Sequence, residues 1–317
     1  MNDKLIVALD YGGTKLSAAL VKAGENVWSG LRRSPSPPAH DAAYEQTTML
    51  ALARDLLAGR QPVAIGVSFG GPVLQSKGLV MLSHHVPGWE NVPLAEQLRG
   101  EFGAPVAVAN DGNIGALGEW RYGAARGCAS VLYATVSTGI GGGWVLNGAI
   151  WDGADGMAGE IGHVVVRPGG ALCPCGKYGC LEAEACGRAI ARSAREQLKA
   201  RPDEGMVLRS LASHTVEAIT AAQVAEAANA GDSLAQAVLD DAARALGAGL
   251  GGAINLMNPE IVVIGGGVTK AGARWWSVVR QTARLHALPQ IRVNIQPAAL
   301  GDDAPLWGAV ALGEQML

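Results

Sequence analysis

Cysteine is scarce in this chain, 5 of 317 residues. So few thiols cannot build the disulfide framework that staples small secreted domains. Long apolar runs are missing too: none approaches the ~20 residues of a membrane-spanning helix. The run inside MNDKLIVALDYGG is too short for a signal peptide, and no cleavage-site pattern follows it. Nor is positive charge in excess. The 25 Lys and Arg stand against 28 Asp and Glu, a formal net charge of −3, which gives no basic footprint for nucleic acid. Together these absences predict a soluble, cytoplasmic protein with neither a membrane nor a nucleic acid as partner.

What is present is apolar content, 49% of the residues, and a length that suits about two domains. Glycine is also plentiful, 44 residues gathered in short runs such as YGGTK, FGGP, STGIGGG and IGGG. At the ends of apolar segments such runs mark turns where backbone approaches something closely. Strands are predicted at Lys4–Leu9, Leu16–Val21, Val63–Val67 and Val106–Ala109, with helices at Tyr44–Leu57 and Pro93–Phe102. Alternation of this kind argues for an α/β sheet with helices on its faces. The pattern then restarts: LIVALDYGGTKLSAAL and VLYATVSTGIGGGWVL both read strand, polar-glycine turn, strand, a weak internal duplication. Further on, Thr220 and Gln223 fit a capping box. Ser233–Met257 reads as a long helix, Glu260–Ile264 as a strand and Pro305–Met316 as a closing helix. Arg201–Ser213 has no clear period and is expected to be a surface loop.

A strand–glycine turn–strand with hydroxyls at its tip suits a triphosphate, because glycines let backbone amides face anionic oxygens. Asp10, Gly12, Gly13, Thr14 and Lys15 supply amides, a hydroxyl, a cation and a carboxylate able to hold Mg²⁺ through water. Thr138, Gly139 and Gly141 supply a second set, and Gly265 and Gly266 follow a later strand. One such turn alone is an ordinary hairpin; two, each heading a half of the chain, point to a nucleotide. Asp111 follows a strand in ANDGN, where a carboxylate can take the proton of an attacking hydroxyl. It is equally placed to cap the helix through Trp120, with Asn110 beside it binding substrate.

Three of the five cysteines fall within ALCPCGKYGC. With His163 upstream, Cys173, Cys175 and Cys180 make four ligands suited to tetrahedral Zn²⁺ in a closed structural site. The spacing is not that of a zinc finger, a disulfide would leave one thiol over, and a redox pair is more typically C-x-x-C. Cys128 and Cys186 read as buried small apolar residues. Closing the metal loop would gather Glu160 and Glu182, acceptors for vicinal sugar hydroxyls.

With LDYGGTK, NDGNIGALGE, STGIGGG, GEIGH, CPCGKYGCLE and VVIGGGV on one chain, the sequence resembles the ROK family (repressors, open reading frames, sugar kinases) from Leu5 to about Glu314. The resemblance implies an actin-like, hexokinase-like α/β fold of two domains around a cleft, expected at 1–115 with about 303–317, and at 116–302 with the metal loop 163–180. It implies ATP as donor, Mg²⁺ and Zn²⁺ as cofactors, and a homodimer or homotetramer. By position Asp111 resembles the family's catalytic base. Asn110, Glu160, His163 and Glu182 resemble its sugar contacts, and His163, Cys173, Cys175 and Cys180 its zinc ligands. In SHHVPGWENVPL, His84 and His85 stand where an Asn is expected, with His85 at the contact position; this weakens the case for glucose over fructose, mannose, allose or N-acetylhexosamines. In GVSFGGPV the small-Pro type of turn is replaced, but Gly71 still lets backbone approach a sugar. The first strand begins at about Lys4, leaving no room for the helix-turn-helix of the family's DNA-binding members. A non-catalytic sugar sensor and a polyphosphate-using kinase are the other readings.

Overall fold

The computed structural model describes residues 4–83, 85–213 and 215–317; His84 lies outside the described residues. Two compact units share the chain. One runs up to Tyr133 and adds Gly143–Gly159 and Ala298–Leu317, and the other is Ala134–Gly142 with Glu160–Pro297. Residues 116–133 and 143–159 therefore belong with the first unit, whereas the expected boundary near 115 assigned them to the second.

The first unit opens with β1 (Leu5–Tyr11), β2 (Lys15–Lys22) and β3 (Gly30–Pro35), followed by α1 (Ala42–Leu57) and β4 (Ala64–Phe69). A hairpin of β5 (Val73–Leu74) and β6 (Leu79–Val80), then α2 (Leu94–Phe102), β7 (Val106–Asn110) and α3 (Asp111–Arg121) complete its main body. The strands β8 (Ser130–Val136), β9 (Ile140–Leu146) and β10 (Ala149–Ile150) come next. Helices α4 (Leu181–Ala185), α5 (Gly187–Ala200), α6 (Met206–Leu211), α7 (Ala221–Asn229) and α8 (Ser233–Met257) lead to β11 (Ile261–Gly265), α9 (Ala273–His286) and β12 (Ile295–Pro297). The closing helix, α10 (Ala304–Glu314), returns to the first unit.

Sheet orders are β3-β2-β1-β4-β7 and β10-β9-β8-β11-β12. Each places its own strand–turn–strand hairpin at one side and adds two later strands at the other, so the duplication read from sequence is repeated in topology. Every residue of β1 is buried, as a strand covered on both faces requires, and its sequence is correspondingly an almost unbroken apolar run. β1 is antiparallel to β2 and parallel to β4, and β4 is parallel to β7. The register sets Asp10 beside Ser68 and Phe69 beside Asn110. Hence the carboxyl ends of three parallel strands deliver Asp10, the Gly70-Gly71 turn and Asp111 to one edge of one sheet, where α/β proteins place ligands.

Buried polar groups fix the surroundings. Glu119, fully buried at the end of α3, accepts the amides of Ala124 (2.8 Å), Ala299 (3.1 Å) and Leu300 (2.9 Å). Its carboxylate so ties α3 to the segment that starts α10. Three expectations need correction. Arg201–Ser213 is not all loop: α6 forms there because the Asp232 carboxylate, 25 residues ahead, accepts the amides of Val207 and Leu208 and Leu208 is buried. The helix after β7 is capped by Asn110, not Asp111. Cys128 is half-buried, not part of the core, whereas Cys186 is buried and caps α5 with its sulfur.

Candidate active site

In the first unit, Asp10 is the next-to-last residue of β1 and is 7% exposed. Burial pushes its carboxyl from an ordinary 3.8 up to about 7, with Asp111 and Asp303 adding repulsion and Ser68 and Lys15 pulling the other way. The folded protein thus holds this proton more tightly than the unfolded chain does. Stability contributed by the neutral acid is lost as pH rises from 3.8 to about 7. Asp10→Asn is expected to flatten that slope in thermal unfolding of the ligand-free protein, and an unchanged slope would assign the titration elsewhere. Gly12, Gly13, Thr14 and Lys15 form the tip between β1 and β2, with Gly13 and Thr14 exposed.

Asp111 is the first residue of α3 and is exposed. One carboxylate oxygen accepts the Gly112 amide (2.8 Å) and the other faces Gly70. Asn110 is engaged on both sides: its oxygen accepts the Gly112 amide (2.9 Å) and its nitrogen donates to the Gly71 carbonyl (3.0 Å). Asn110 therefore joins β7 to the Gly70-Gly71 turn. At Gly71 a Cβ would lie 2.7 Å from the Leu82 carbonyl oxygen, which is why glycine is needed there. His85 is exposed on the following loop, its amide donating to Ser83 Oγ (3.3 Å). The same loop is anchored by Trp89, fully buried edge-on against Tyr11 and Phe69. The Trp89 indole donates to Glu45 (2.7 Å), whose other oxygen meets His40 (3.0 Å). No sequence pattern marks this Glu45 anchor.

In the second unit, the turn between β8 and β9 exposes Ser137 and Thr138. Its Ile140 amide donates to Glu182 Oε2 (2.9 Å) and its Thr138 carbonyl accepts from Arg188 Nε (3.0 Å). Glu182 is therefore no solvated loop charge; it lies on α4 with its side chain 15% exposed, bracing the turn from below Gly139. Gly141 continues into β9. Gly265 ends β11, and Gly266 has φ 91° at a place where a Cβ would run into the Val136 backbone, so no side chain could occupy it. Beside these turns opens a cavity of about 790 Å³. Its apolar part includes Ile190, Ile219, Ala222, Ala225 and Val268, and its polar edge Ser137, Thr138, Gly267 and Lys270. The turns carry a sequence signal and the walls do not: these are alanines and isoleucines on α5, on α7 and just before α7; the Thr220–Gln223 capping box, present as expected, was the one nearby clue.

His163, Cys173, Cys175 and Cys180 come together, their ligand atoms all within 4.8 Å of one another. Cys175 and Cys180 sulfurs lie 3.6 Å apart, and Cys173 Sγ is 3.7 Å from His163 Nδ1. Four donors around a metal with ~2.3 Å sulfur bonds stand at about these edge lengths, so the set fits a tetrahedral ion. Burial pushes the Cys173 and Cys180 thiols up, while a backbone amide at Lys177 brings Cys175 down to about 7; a dication is what lets all three ionise together. His163 turns its other nitrogen, Nε2, toward Glu160 (3.9 Å).

The ROK family pattern matches residues 6–316. A glucokinase of Halalkalibacterium halodurans is 38% identical over 99% of this chain and 96% of that protein. Among solved structures, a ROK family glucokinase from Streptomyces griseus in complex with glucose and AMPPNP superimposes with TM-score 0.83 at 32% identity, covering 98% of this chain and 99% of that one. A ROK hexokinase from Thermus thermophilus does so with TM-score 0.83 at 32% identity, covering 98% of each chain. The fold is thus the actin-like, hexokinase-like α/β architecture that the motifs implied. Motifs, strand orders and full-length similarity agree: the chain belongs to the ROK family.

Proposed function

We propose that the protein is an ATP-dependent hexose kinase that phosphorylates the 6-hydroxyl, with glucose the first candidate. The observation that carries this reading is the 790 Å³ cavity in the second unit, apolar at one part and edged by the second glycine turn and Lys270 at another. A cavity of that volume with such a lining can seat a nucleoside and its phosphates, and the apolar lining would be needless for a polyphosphate donor. Full-length similarity to glucokinases, one of them solved with glucose and AMPPNP, supports the same conclusion.

In this reading Asp111 accepts the proton of the attacking hydroxyl as its oxygen bonds to the γ-phosphorus, and ADP leaves. Mg²⁺, when bound with ATP, neutralises charge on the phosphates, and Asp10 is the carboxylate placed to hold it through water. The amides of Gly12 and Gly13, the Thr14 hydroxyl and Lys15 serve the phosphates from the first unit; Thr138, Gly139, Gly141, Gly265 and Gly266 do so from the second. Gly71, His85 and Asn110 are the first unit's hexose contacts. Glu160, His163 and Glu182 are the second unit's. His163 can serve both a metal through Nδ1 and a hydroxyl through Nε2. The donor set of three thiolates and one imidazole selects Zn²⁺ in a structural role. No described helix is long and apolar enough to cross a membrane, and a cytoplasmic homodimer or homotetramer is the working assignment.

Coupled ADP release, measured across glucose, fructose, mannose, allose and N-acetylhexosamines, tests the function. Hexose-dependent release is expected, strongest with glucose. Binding of ADP and sugar without release from any hexose would make the protein a sensor instead.

A further inference from the structure

We propose that Arg188 is a phosphate ligand of the nucleotide site, a contact that neither glycine turn nor Lys15 supplies. The proposal rests on the nucleotide reading of the cavity above. Arg188 is the second residue of α5 and lines that cavity beside Thr138. Three cations line the cavity, Arg188, Arg195 and Lys270, against one carboxylate, Glu226, so its charge favours an anion. Arg195 is committed, since two of its nitrogens donate to the Ile219 carbonyl (3.3 and 2.9 Å).

Arg188 is held differently. Its Nε donates to the Thr138 carbonyl (3.0 Å), which fixes the guanidinium plane against the phosphate turn. One terminal nitrogen stands 3.6 Å from Glu182 Oε1, longer than the ~2.7–2.9 Å of a charge-assisted hydrogen bond. The other makes no hydrogen bond among the described residues, and the side chain is 52% exposed. A planar donor oriented through Nε, with its terminal nitrogens weakly held or open, is the arrangement that grips two phosphate oxygens at once. Thr138 is exposed and lines the same cavity, so its hydroxyl and the guanidinium are available to one anion.

The test is calorimetric titration of the full chain with ADP and with adenosine. Arg188→Met is expected to weaken ADP about 10-fold, as loss of a hydrogen bond to a charged group predicts, and to leave adenosine within about twofold. Arg188→Lys, which keeps the charge, is expected to recover most of the ADP affinity. Arg188→Gln, which keeps a neutral donor for the Thr138 carbonyl, is expected to recover little. Unchanged ADP affinity in Arg188→Met, an equal loss for adenosine, or rescue by Gln as good as by Lys would overturn the proposal, the last by reducing Arg188 to a support for the turn. Ala225→Trp, which fills the apolar wall, separates the two levels. It must weaken adenosine and ADP alike; if it does neither, the nucleotide reading of the cavity is wrong and the Arg188 contact falls with it.

Discussion

Asp111→Ala is expected to lower turnover by about 10²–10⁴, the range a positioned general base contributes, while hexose and ADP still bind. The expectation follows from placement. Asp111 begins α3, directly after a buried parallel strand, and one of its oxygens is oriented by the Gly112 amide. That hydrogen bond holds the carboxylate at a fixed rotamer without reliance on a bound ligand. The helix itself is capped by Asn110 and tied at its far end by Glu119, so removing the Asp111 side chain leaves the backbone supported. Asp111→Asn is the sharper variant. It keeps an oxygen for the Gly112 amide and abolishes only basicity, so it is expected to be as inactive as the alanine. Circular dichroism and ADP titration report whether either variant remains folded. Turnover near wild type in Asp111→Asn would remove the residue from the chemistry and leave it a surface acid at a helix start.

Particular residues show what a sequence can reveal here. β1 and β8 were legible because strands inside a sheet are near-continuous apolar runs. α8 was legible to its ends because local signals bracket it: the Asp232 side chain caps its start, and Asn258 in the left-handed region, before Pro259, stops it. The cluster of His163, Cys173, Cys175 and Cys180 was legible because its four side chains fall within one short segment, and chemistry restricts what such a set can do. Long-range pairings were not legible. Glu45 anchors Trp89 across 44 positions, Glu119 reaches the segment before α10 across about 180, and α6 depends on a carboxylate 25 residues downstream. None of these acids differs in sequence from a solvated one. The cavity walls escaped for the opposite reason: the space is left by small residues, and small residues carry no chemical mark. Glu182 illustrates a half-success. Its neighbourhood to the metal loop follows from adjacency to Cys180, but its hydrogen bond to the Ile140 amide comes only from the fold.

Stripping the metal is expected to lower hexose kinase activity by on the order of 10² or more and to unfold the loop locally, leaving the rest of the chain folded. Apolar packing holds the loop only weakly, and its polar anchors, Arg167 on Asp241 and the Ala171 amide on Glu184, lie at its base. Val164, Val165, Leu172 and Tyr178 are between 45% and 59% exposed, and the apolar cluster beneath consists of Cys173, Cys180 and Ala183 with Ala171 beside them. At its tip the backbone bonds are short in range, such as Cys173 N to the Lys177 carbonyl and Gly176 N to the Cys173 carbonyl; at its base Val166 N and Arg167 N reach the Gly179 carbonyl and Leu181 N the Val164 carbonyl. Outside the loop the fold stands on its own sheets and helices, so hydrogen exchange should rise across 164–180 after chelation while β1, β4 and α8 keep their protection. Activity falls because Glu160 and His163 lie on the approach to the loop and Glu182 follows its last ligand, Cys180. Cys173→Ala and Cys180→Ala are expected to reproduce the chelated state, and added Zn²⁺ to restore the wild type but neither variant. Metal analysis of the purified protein should find one zinc per chain. A fully active preparation without bound metal, protected across 164–180, would show that the three thiols and the imidazole hold the loop by packing alone.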